Sequence, residues 1–246
     1  MSKVNLIFLH GFPFNSLMWM DQSIAFKSKY NVFTPDLRGH RYGPSDIGPW
    51  MIAHFADDIK LLIDQNGLEK VILCGLSMGG YIALHFAHKY PEYLSGLILC
   101  DTMSATDSNA TKDKRYELIL RIQKEGLLGF AQEFSMSVLS ETTISEKPEV
   151  QKKVMNMITT NSSENIAMVA GALASRHDCT PYLTEITCPT LVLVGAEDKV
   201  TSVDVNLKLS KDIEHSNFKI IENAGHLSNI EQPEVFNKYI EEFIVF

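Results

Sequence analysis

A five-residue stretch between a predicted strand and a predicted helix constrains this chain most. It reads Gly75-Leu76-Ser77-Met78-Gly79 and matches the pattern G-x-S-x-G. Residues 71–74 form a short apolar run, which predicts a buried strand, and helical spacing of the following side chains continues to Pro91. Ser77 is therefore expected at a sharp turn from strand to helix, and this context makes the pattern specific.

The glycines of this stretch have a steric reason. A sharp turn holds its central residue in a strained backbone conformation, and side chains two residues before and after it would collide with the turn. Gly75 and Gly79 avoid that collision, so the hydroxyl of Ser77 projects above the edge of the sheet. The backbone N–H of Met78 then lies at a helix N-terminus, where developing negative charge is stabilised.

Composition and charge limit the classes of partner. Of 246 residues, 45% are hydrophobic and 21% are charged, as in ordinary globular proteins. The formal net charge is −8 and no basic run occurs, so nucleic acid is not an expected partner. No apolar stretch approaches the ~18–20 residues of a membrane-spanning helix, and no signal peptide is predicted. The four cysteines lack zinc-site spacing, and as free thiols they predict a cytoplasmic location.

The order of apolar runs predicts an α/β fold with a mostly parallel sheet flanked by helices. Further strands are expected at residues 4–10, 30–37, 94–100, 190–195 and 218–221, and flanking helices at 16–26, 52–66 and 233–243. Strand patterns disappear between residues 102 and 187, where helical segments are expected near 112–125, 127–139, 148–161 and 163–174. We therefore predict a core formed by residues 1–101 and 188–246, with residues 102–187 inserted as a helical cap.

Three residues with complementary chemistry each follow a predicted strand. In chain order they are Ser77, Asp198 and His226. Because the carboxyl ends of parallel strands meet at one edge of a sheet, we expect these side chains to converge. His226 would take the proton of the Ser77 hydroxyl, and Asp198 would orient the imidazole. This chain order is the one that G-x-S-x-G hydrolases use, and it differs from the orders in two serine protease classes.

A second backbone donor for an oxyanion is expected after the first strand. That strand ends in His10-Gly11-Phe12-Pro13, and the N–H of Phe12 would act together with the N–H of Met78. His10 itself is expected to be structural.

Other acids and histidines compete for the same roles. Glu197 and Asp101 are alternative acids, since Glu197 precedes Asp198 and Asp101 follows the strand at 94–100. The competing histidines do not follow a strand through a glycine as His226 does; they are His10, His54, His85, His88, His177 and His215. No cluster has metal-ligand spacing, and no dinucleotide-binding G-x-G-x-x-G occurs, so neither a metal nor a cofactor is expected.

Candidates for the wall of a substrate pocket come from the first predicted helix and from the cap. Trp19 is expected near the mouth of the site. Met103 and Met136 belong to a group of five cap methionines, whose flexible thioethers suit an adaptable apolar pocket. Packing of these methionines between cap helices is an equally good interpretation.

Taken together, these motifs resemble those of the α/β-hydrolase superfamily along nearly the whole chain. Besides the serine motif, the resemblance rests on five stretches: His10-Gly11-Phe12-Pro13, Asp36-Leu37-Arg38-Gly39-His40, Val194-Gly195-Ala196-Glu197-Asp198, Ala224-Gly225-His226, and Ala174-Ser175-Arg176-His177-Asp178 followed by Thr180-Pro181. The last stretch is similar to the end of the cap in small bacterial esterases and 3-oxoadipate enol-lactonase-like members. The resemblance implies a hydrolase of carboxylic esters, lactones or thioesters, although the fold alone does not fix the reaction.

Two departures from the family pattern stand out. Members usually have two strands before the His-Gly strand, and this N-terminal pair is expected to be missing here. That would leave the strand at 30–37 near a sheet edge and would favour pairing between copies, so a homodimer is one expectation. In addition, Arg41 and Tyr42 form a two-residue insertion in the loop after Gly39-His40.

The leading hypothesis is a serine hydrolase that acts on a small ester-type substrate through an acyl-enzyme on Ser77. A slow or non-catalytic ligand-binding regulator of the same fold is one alternative. A cofactor-free perhydrolase that uses the same three residues is another.

Overall fold

One sheet of six strands forms the centre of the fold. The computed structural model describes residues 3–46 and 48–244. The strands are β1 (Asn5–Leu9), β2 (Asn31–Phe33), β3 (Val71–Leu76), β4 (Leu94–Cys100), β5 (Thr190–Gly195) and β6 (Ser216–Ile221). Their order across the sheet is β2-β1-β3-β4-β5-β6, and every neighbouring pair is parallel. The predicted α/β class with a mostly parallel sheet is confirmed.

Helices connect the strands. They are α1 (Met20–Phe26), α2 (Ile52–Gln65), α3 (Met78–Lys89), α4 (Asn109–Glu125), α5 (Leu128–Val138), α6 (Glu141–Glu146), α7 (Pro148–Thr159), α8 (Ser163–Ala174), α9 (Val203–Lys211), α10 (Ser228–Glu231) and α11 (Pro233–Ile244). Short 3₁₀ turns occur at Ser16–Trp19, Pro91–Tyr93 and Thr180–Glu185. In the part of the chain that the structure describes, no helix combines the length and the apolar composition needed to cross a membrane.

The strands differ in burial according to their place in the sheet. Every residue of β3 and β5 is buried, as expected for strands that are covered on both faces. β2 lies at the edge, as expected, but the predicted strand at 30–37 is too long. It ends at Phe33, because Pro35 has no N–H to donate and the N–H of Leu37 donates to Nε2 of His10 at 3.0 Å instead of to a strand.

Five helices, α4 to α8, lie between β4 and β5, and we call residues 102–187 the helical insertion. Four of them correspond to the predicted segments. The fifth, α6, is not predicted because its six residues contain no apolar repeat. Ser140 begins this helix, since its hydroxyl accepts from the N–H of Thr143 at 3.1 Å. The division into a core and a separate cap domain stays a prediction.

A buried ion pair joins the two ends of the helical insertion. Asp107 precedes α4 and Arg176 follows α8, and Nη1 of Arg176 lies 2.6 Å from Oδ1 of Asp107. Burial acts to raise the pKa of Asp107, but Arg115 and Arg176 outweigh it and hold the pKa below its ordinary value. The guanidinium of Arg176 also stacks on Tyr81 of α3, 4.3 Å from the ring centroid.

The two inserted residues of the loop after β2 form a turn. Arg41 has a φ of 42°, and the N–H of Gly43 donates to the carbonyl of His40 at 2.7 Å. The N–H of Arg41 donates to Oδ1 of Asn161 at 2.9 Å, and Asn161 lies between α7 and α8. The longer loop thereby contacts the helical insertion.

Candidate active site

The strand-to-helix turn at Ser77 has the predicted strained geometry. Ser77 has φ 54° and ψ −113°, between the end of β3 and the start of α3. A Cβ built on Gly75 would lie 2.2 Å from the carbonyl oxygen of Gly79, and one on Gly79 would lie 2.1 Å from that of Leu9. Both positions therefore require glycine. The N–H of Ser77 donates to the carbonyl of Cys100 at 2.9 Å, which ties the turn to β4.

Asp198 and His226 meet at the carboxyl ends of β5 and β6. Nδ1 of His226 lies 2.8 Å from Oδ2 of Asp198, and both residues are buried. This bond favours the tautomer that carries hydrogen on Nδ1 and leaves Nε2 free to accept a proton.

Several donors hold the carboxylate of Asp198. Oδ1 accepts from the N–H of Val200 at 2.7 Å and from that of Thr201 at 2.9 Å, and Oδ2 also accepts from the hydroxyl of Thr201 at 2.7 Å. Burial acts to raise the pKa of Asp198, but the attraction of His226 and these hydrogen bonds outweigh it. The pKa of Asp198 therefore lies below its ordinary value, and the group is an anion at neutral pH.

Asp101, the alternative acid, has a different place. It is fully buried, its Oδ1 accepts from the N–H of Gly195 at 2.8 Å, and its Oδ2 is bonded to the hydroxyl of Ser228. Burial and, next, the nearby charge of Asp198 raise the pKa of Asp101 well above its ordinary value. Asp101 thus holds Gly195, the last residue of β5, which lies three residues before Asp198. Within the described residues, Asp101 makes no hydrogen bond to His226.

Both ring nitrogens of His10 form hydrogen bonds with the backbone. Its Nδ1 lies 3.0 Å from the carbonyl oxygen of Gly11, and its Nε2 accepts from Leu37. Burial lowers the pKa of His10 to about 4, so the ring is neutral. Among the described residues, His226 is the one histidine that lines the cavity described next.

A cavity of about 760 Å³ contains the hydroxyl-bearing turn and the histidine. Ser77, Met78 and His226 form its floor together with Phe12. Gly11 brings the turn after β1 beside the serine, since a Cβ built on it would lie 3.4 Å from Cβ of Ser77. The two residues predicted to supply oxyanion donors, Phe12 and Met78, thus flank Ser77 at the cavity floor.

Helices α4 and α5 form another wall of the cavity. The wall residues of α4 are Thr111, Lys114, Arg115, Glu117, Leu118 and Arg121, and those of α5 are Phe130, Glu133, Phe134 and Ser137. The ring centroids of Phe130 and Phe134 lie 5.2 Å apart, and they lie 6.4 and 6.5 Å, respectively, from the ring centroid of Phe12. This aromatic cluster makes the part of the cavity near Phe12 apolar.

Charged groups on the wall are mostly paired. Arg121 binds both carboxylate oxygens of Glu133, at 2.6 and 2.7 Å, and so joins α4 to α5. Arg115 is bonded to Asp107. Lys114 has no ion-pair partner within residues 3–46 and 48–244.

The predicted pocket residues Trp19, Met103 and Met136 lie outside this wall. Trp19 is fully buried in the core, with its ring centroid 5.0 Å from that of Phe8. Sδ of Met103 lies 3.9 Å from Nη2 of Arg176, and Met136 is 52% exposed. The inward stripe of α5 passes through Phe130 and Phe134, so Met136 lies on the outer face of the helix. The i, i+4 spacing of Phe130 and Phe134 is the sequence signal that indicates which face of α5 lines the cavity.

In the described part of the chain, no group of three or more histidine, cysteine, aspartate or glutamate side chains is arranged to hold a metal ion.

Known proteins are similar to this chain in sequence and in fold. A family model of the alpha/beta hydrolase fold matches residues 4–233. 3-Oxoadipate enol-lactonase 2 of Acinetobacter baylyi is 32% identical over 236 residues, which cover 96% of this chain and 86% of that protein. A malate-bound esterase of Thermogutta terrifontis superimposes with a TM-score of 0.96 at 37% identity, over 99% of this chain and 90% of that one. The enol-lactonase of Burkholderia xenovorans LB400, at 22% identity and a TM-score of 0.93 over 100% and 93% of the two chains, shows the same fold.

Proposed function

The chain belongs to the α/β-hydrolase family, and on that premise we propose that it is a serine hydrolase that cleaves a small carboxylic ester, lactone or thioester. The observation that carries the proposal is the hydrogen bond between Asp198 and His226 beside the cavity floor that Ser77 shares. The relatives named for esterase and enol-lactonase activity support a substrate with an activated carbonyl.

In the first half of the reaction, the hydroxyl oxygen of Ser77 attacks the carbonyl carbon. Nε2 of His226 takes the hydroxyl proton as the new C–O bond forms. Asp198 keeps the other ring nitrogen protonated and stabilises the imidazolium. His226 then gives the proton to the leaving oxygen or sulfur, the bond to that atom breaks, and the acyl group stays on Ser77.

In the second half, water releases the acyl group. His226 takes a proton from water, the hydroxide adds to the acyl carbon, and the bond to the oxygen of Ser77 breaks as that oxygen regains a proton. The backbone N–H groups of Phe12 and Met78 would hold the oxyanion in both halves. Each such donor contributes ~2.7–4 kcal/mol to lowering the barrier.

The cavity wall bears on the kind of substrate. A volume of about 760 Å³ accommodates a small molecule, and the rings of Phe12, Phe130 and Phe134 suit an apolar acyl or alkyl part. Lys114 and the paired cations of α4 line the same cavity, where a polar or anionic end of the substrate would be tolerated. In this proposal the helical insertion acts as the cap that shapes the pocket.

Covalent labelling tests the proposal. Wild type, Ser77→Ala and the matched control Ser145→Ala, which alters an exposed serine of α6, are treated with a fluorophosphonate and analysed by intact-mass spectrometry. We expect one adduct on wild type and on the control, and none on Ser77→Ala. Hydrolysis of p-nitrophenyl butyrate should follow the same pattern.

Labelling or hydrolysis that persists in Ser77→Ala would rule out the acyl-enzyme. An adduct on wild type without turnover of any ester, lactone or thioester would instead favour a ligand-binding protein. Peroxide-dependent halide oxidation that requires Ser77 would favour a perhydrolase.

A further inference from the structure

Glu231 is a buried carboxylate that lies outside the cavity wall, yet both of its oxygens are engaged. The residue is 2% exposed. Oε1 accepts from the N–H of Gly225 and Oε2 accepts from the N–H of Ser140, each at 2.8 Å. Gly225 immediately precedes His226, whereas Ser140 lies between α5 and α6. One side chain therefore joins the histidine loop to the helical insertion.

Two further contacts connect the same segments. The N–H of His226 donates to the carbonyl of Val138, the last residue of α5, at 2.9 Å. A Cβ built on Gly225 would lie 2.8 Å from the nitrogen of Ser140 and 2.9 Å from the carbonyl oxygen of Val138. Residues 138–140 and 225–226 are thus packed backbone against backbone, with Glu231 closing the contact.

A carboxylate suits this position better than any neutral side chain. It offers only acceptors, and two N–H groups converge on it. A glutamine would direct its NH₂ group at one of the two N–H donors and leave that donor unsatisfied in a buried place. Removal of the charge would therefore weaken the contact between residues 138–140 and 225–226 on one side, either at Gly225 or at Ser140.

We propose that Glu231 is a positioning residue, which holds the imidazole of His226 and the α5 wall of the cavity as one unit. This role of Glu231 rests on the proposed function of His226 as the base for Ser77. Glu231 acts through the backbone of Gly225 and Ser140, since among the described residues it neither lines the cavity nor hydrogen-bonds to Ser77.

Glu231→Gln tests this role, with Glu234→Gln as the matched control, because Glu234 is an exposed glutamate at the start of α11. We expect kcat for p-nitrophenyl butyrate and the rate of fluorophosphonate labelling to fall by about tenfold or more in Glu231→Gln. KM should change by a smaller factor than kcat, because the wall keeps all its side chains and only their position shifts. The control should match wild type.

Hydrogen–deuterium exchange separates positioning from a general loss of stability. In Glu231→Gln, peptides that cover residues 136–142 and 223–229 should exchange faster, while peptides from β3 and α3 keep the wild-type rate. Should this variant not fold, Glu231→Asp keeps the charge but is too short to reach both donors, and the same local pattern is expected.

Unchanged kcat and labelling in Glu231→Gln would overturn the proposal, and so would an exchange increase that is equal along the whole chain. If wild type neither hydrolyses esters nor reacts with the fluorophosphonate, the proposed function fails. Exchange at the two segments still decides in that case whether Glu231 joins them.

Discussion

Val138 accepts a hydrogen bond at 2.9 Å from the backbone N–H of His226, so the end of α5 and the histidine of the candidate site are directly joined. α5 also carries the aromatic wall of the cavity. The contact of residues 138–140 with residues 225–226 therefore constrains the distance between that wall and the imidazole, and changes at this contact should affect chemistry as well as stability.

Gly225→Ala should disturb this contact. Its methyl group would lie within 3.0 Å of both Ser140 and Leu139, so the two backbones must move apart. We expect a loss of about 1–3 kcal/mol in the free energy of unfolding and a clear fall in kcat. Urea unfolding and ester hydrolysis measure the two effects. Gly129→Ala is the control: its methyl group meets only Arg121 at 3.5 Å, so the helix should gain stability. Equal behaviour of the two variants would contradict the prediction.

Replacing each of the two buried acids by asparagine should separate their roles. In Asp198→Asn, the amide oxygen still accepts hydrogen bonds from the N–H groups of Val200 and Thr201, so the NH₂ group faces His226. Nδ1 of His226 must then accept a hydrogen bond, which forces the tautomer that carries hydrogen on Nε2. We expect kcat to fall by about 10³–10⁴-fold. In Asp101→Asn, the amide oxygen accepts from Gly195 and the NH₂ group donates to Ser228, so kcat should change by less than about tenfold. A reversed order of the two losses would make Asp101 the acid.

Asp101 should also make stability depend on pH. Because its pKa is raised in the folded chain, the unfolded chain releases this proton first as pH rises. The unfolded state then binds fewer protons than the folded state, and the free energy of unfolding falls with pH above the ordinary carboxyl value of about 4. Asp101→Asn removes this term, so its stability relative to wild type should be higher at pH 7 than at pH 4. Urea unfolding at both pH values measures the difference, and a constant difference would refute it.

Breaking the buried ion pair at the ends of the helical insertion should be costly. Arg176→Ala leaves Asp107 buried with only one cationic partner, Arg115. We expect a loss of about 3–5 kcal/mol in the free energy of unfolding. Lys238→Ala, which breaks an exposed pair with Glu242, should cost less than about 1 kcal/mol. Comparable losses in the two variants would show that burial of the Asp107 pair contributes little.

Lys114 should affect the choice between neutral and anionic substrates. It lines the cavity and is exposed, so its attraction for a substrate carboxylate is screened by water and salt. Lys114→Glu should lower kcat/KM for a p-nitrophenyl ester of a dicarboxylic acid by about two- to tenfold relative to p-nitrophenyl butyrate, and less at high salt. Lys112→Glu, on α4 but outside the cavity wall, should leave the ratio unchanged. A salt-independent ratio in Lys114→Glu would argue against a charge effect.

Local chemistry made part of the fold and of the site predictable. The turn at Ser77 follows from two glycines at the point where the hydrophobic pattern changes from that of a strand to that of a helix. The convergence of Asp198 with His226 follows from parallel strands that end at one edge of the sheet. The edge position of β2 was also predictable, whereas its length was not. Pro35 marks its limit in the sequence, since proline cannot donate to a ladder.

Contacts between distant segments account for what the sequence could not predict. Trp19 and Met136 are apolar, and hydrophobicity alone does not decide between a core, a pocket and an exposed face. Glu231 resembles any surface glutamate, because its partners are backbone N–H groups that no side-chain pattern reveals. The partners Asp107 and Arg176 are likewise far apart in sequence, and they come together because α4 packs against α8 in the folded chain.

The ion pair between Asp107 and Arg176 has a consequence for how such chains diversify. Because this pair joins its two ends, the segment between Asp107 and Arg176 could be replaced as one piece, provided that the replacement keeps the contact of residues 138–140 with residues 225–226. A chimera that introduces another cavity wall into this fold should therefore have its junctions outside Asp107 and Arg176. The introduced segment then brings its own ion pair between its ends.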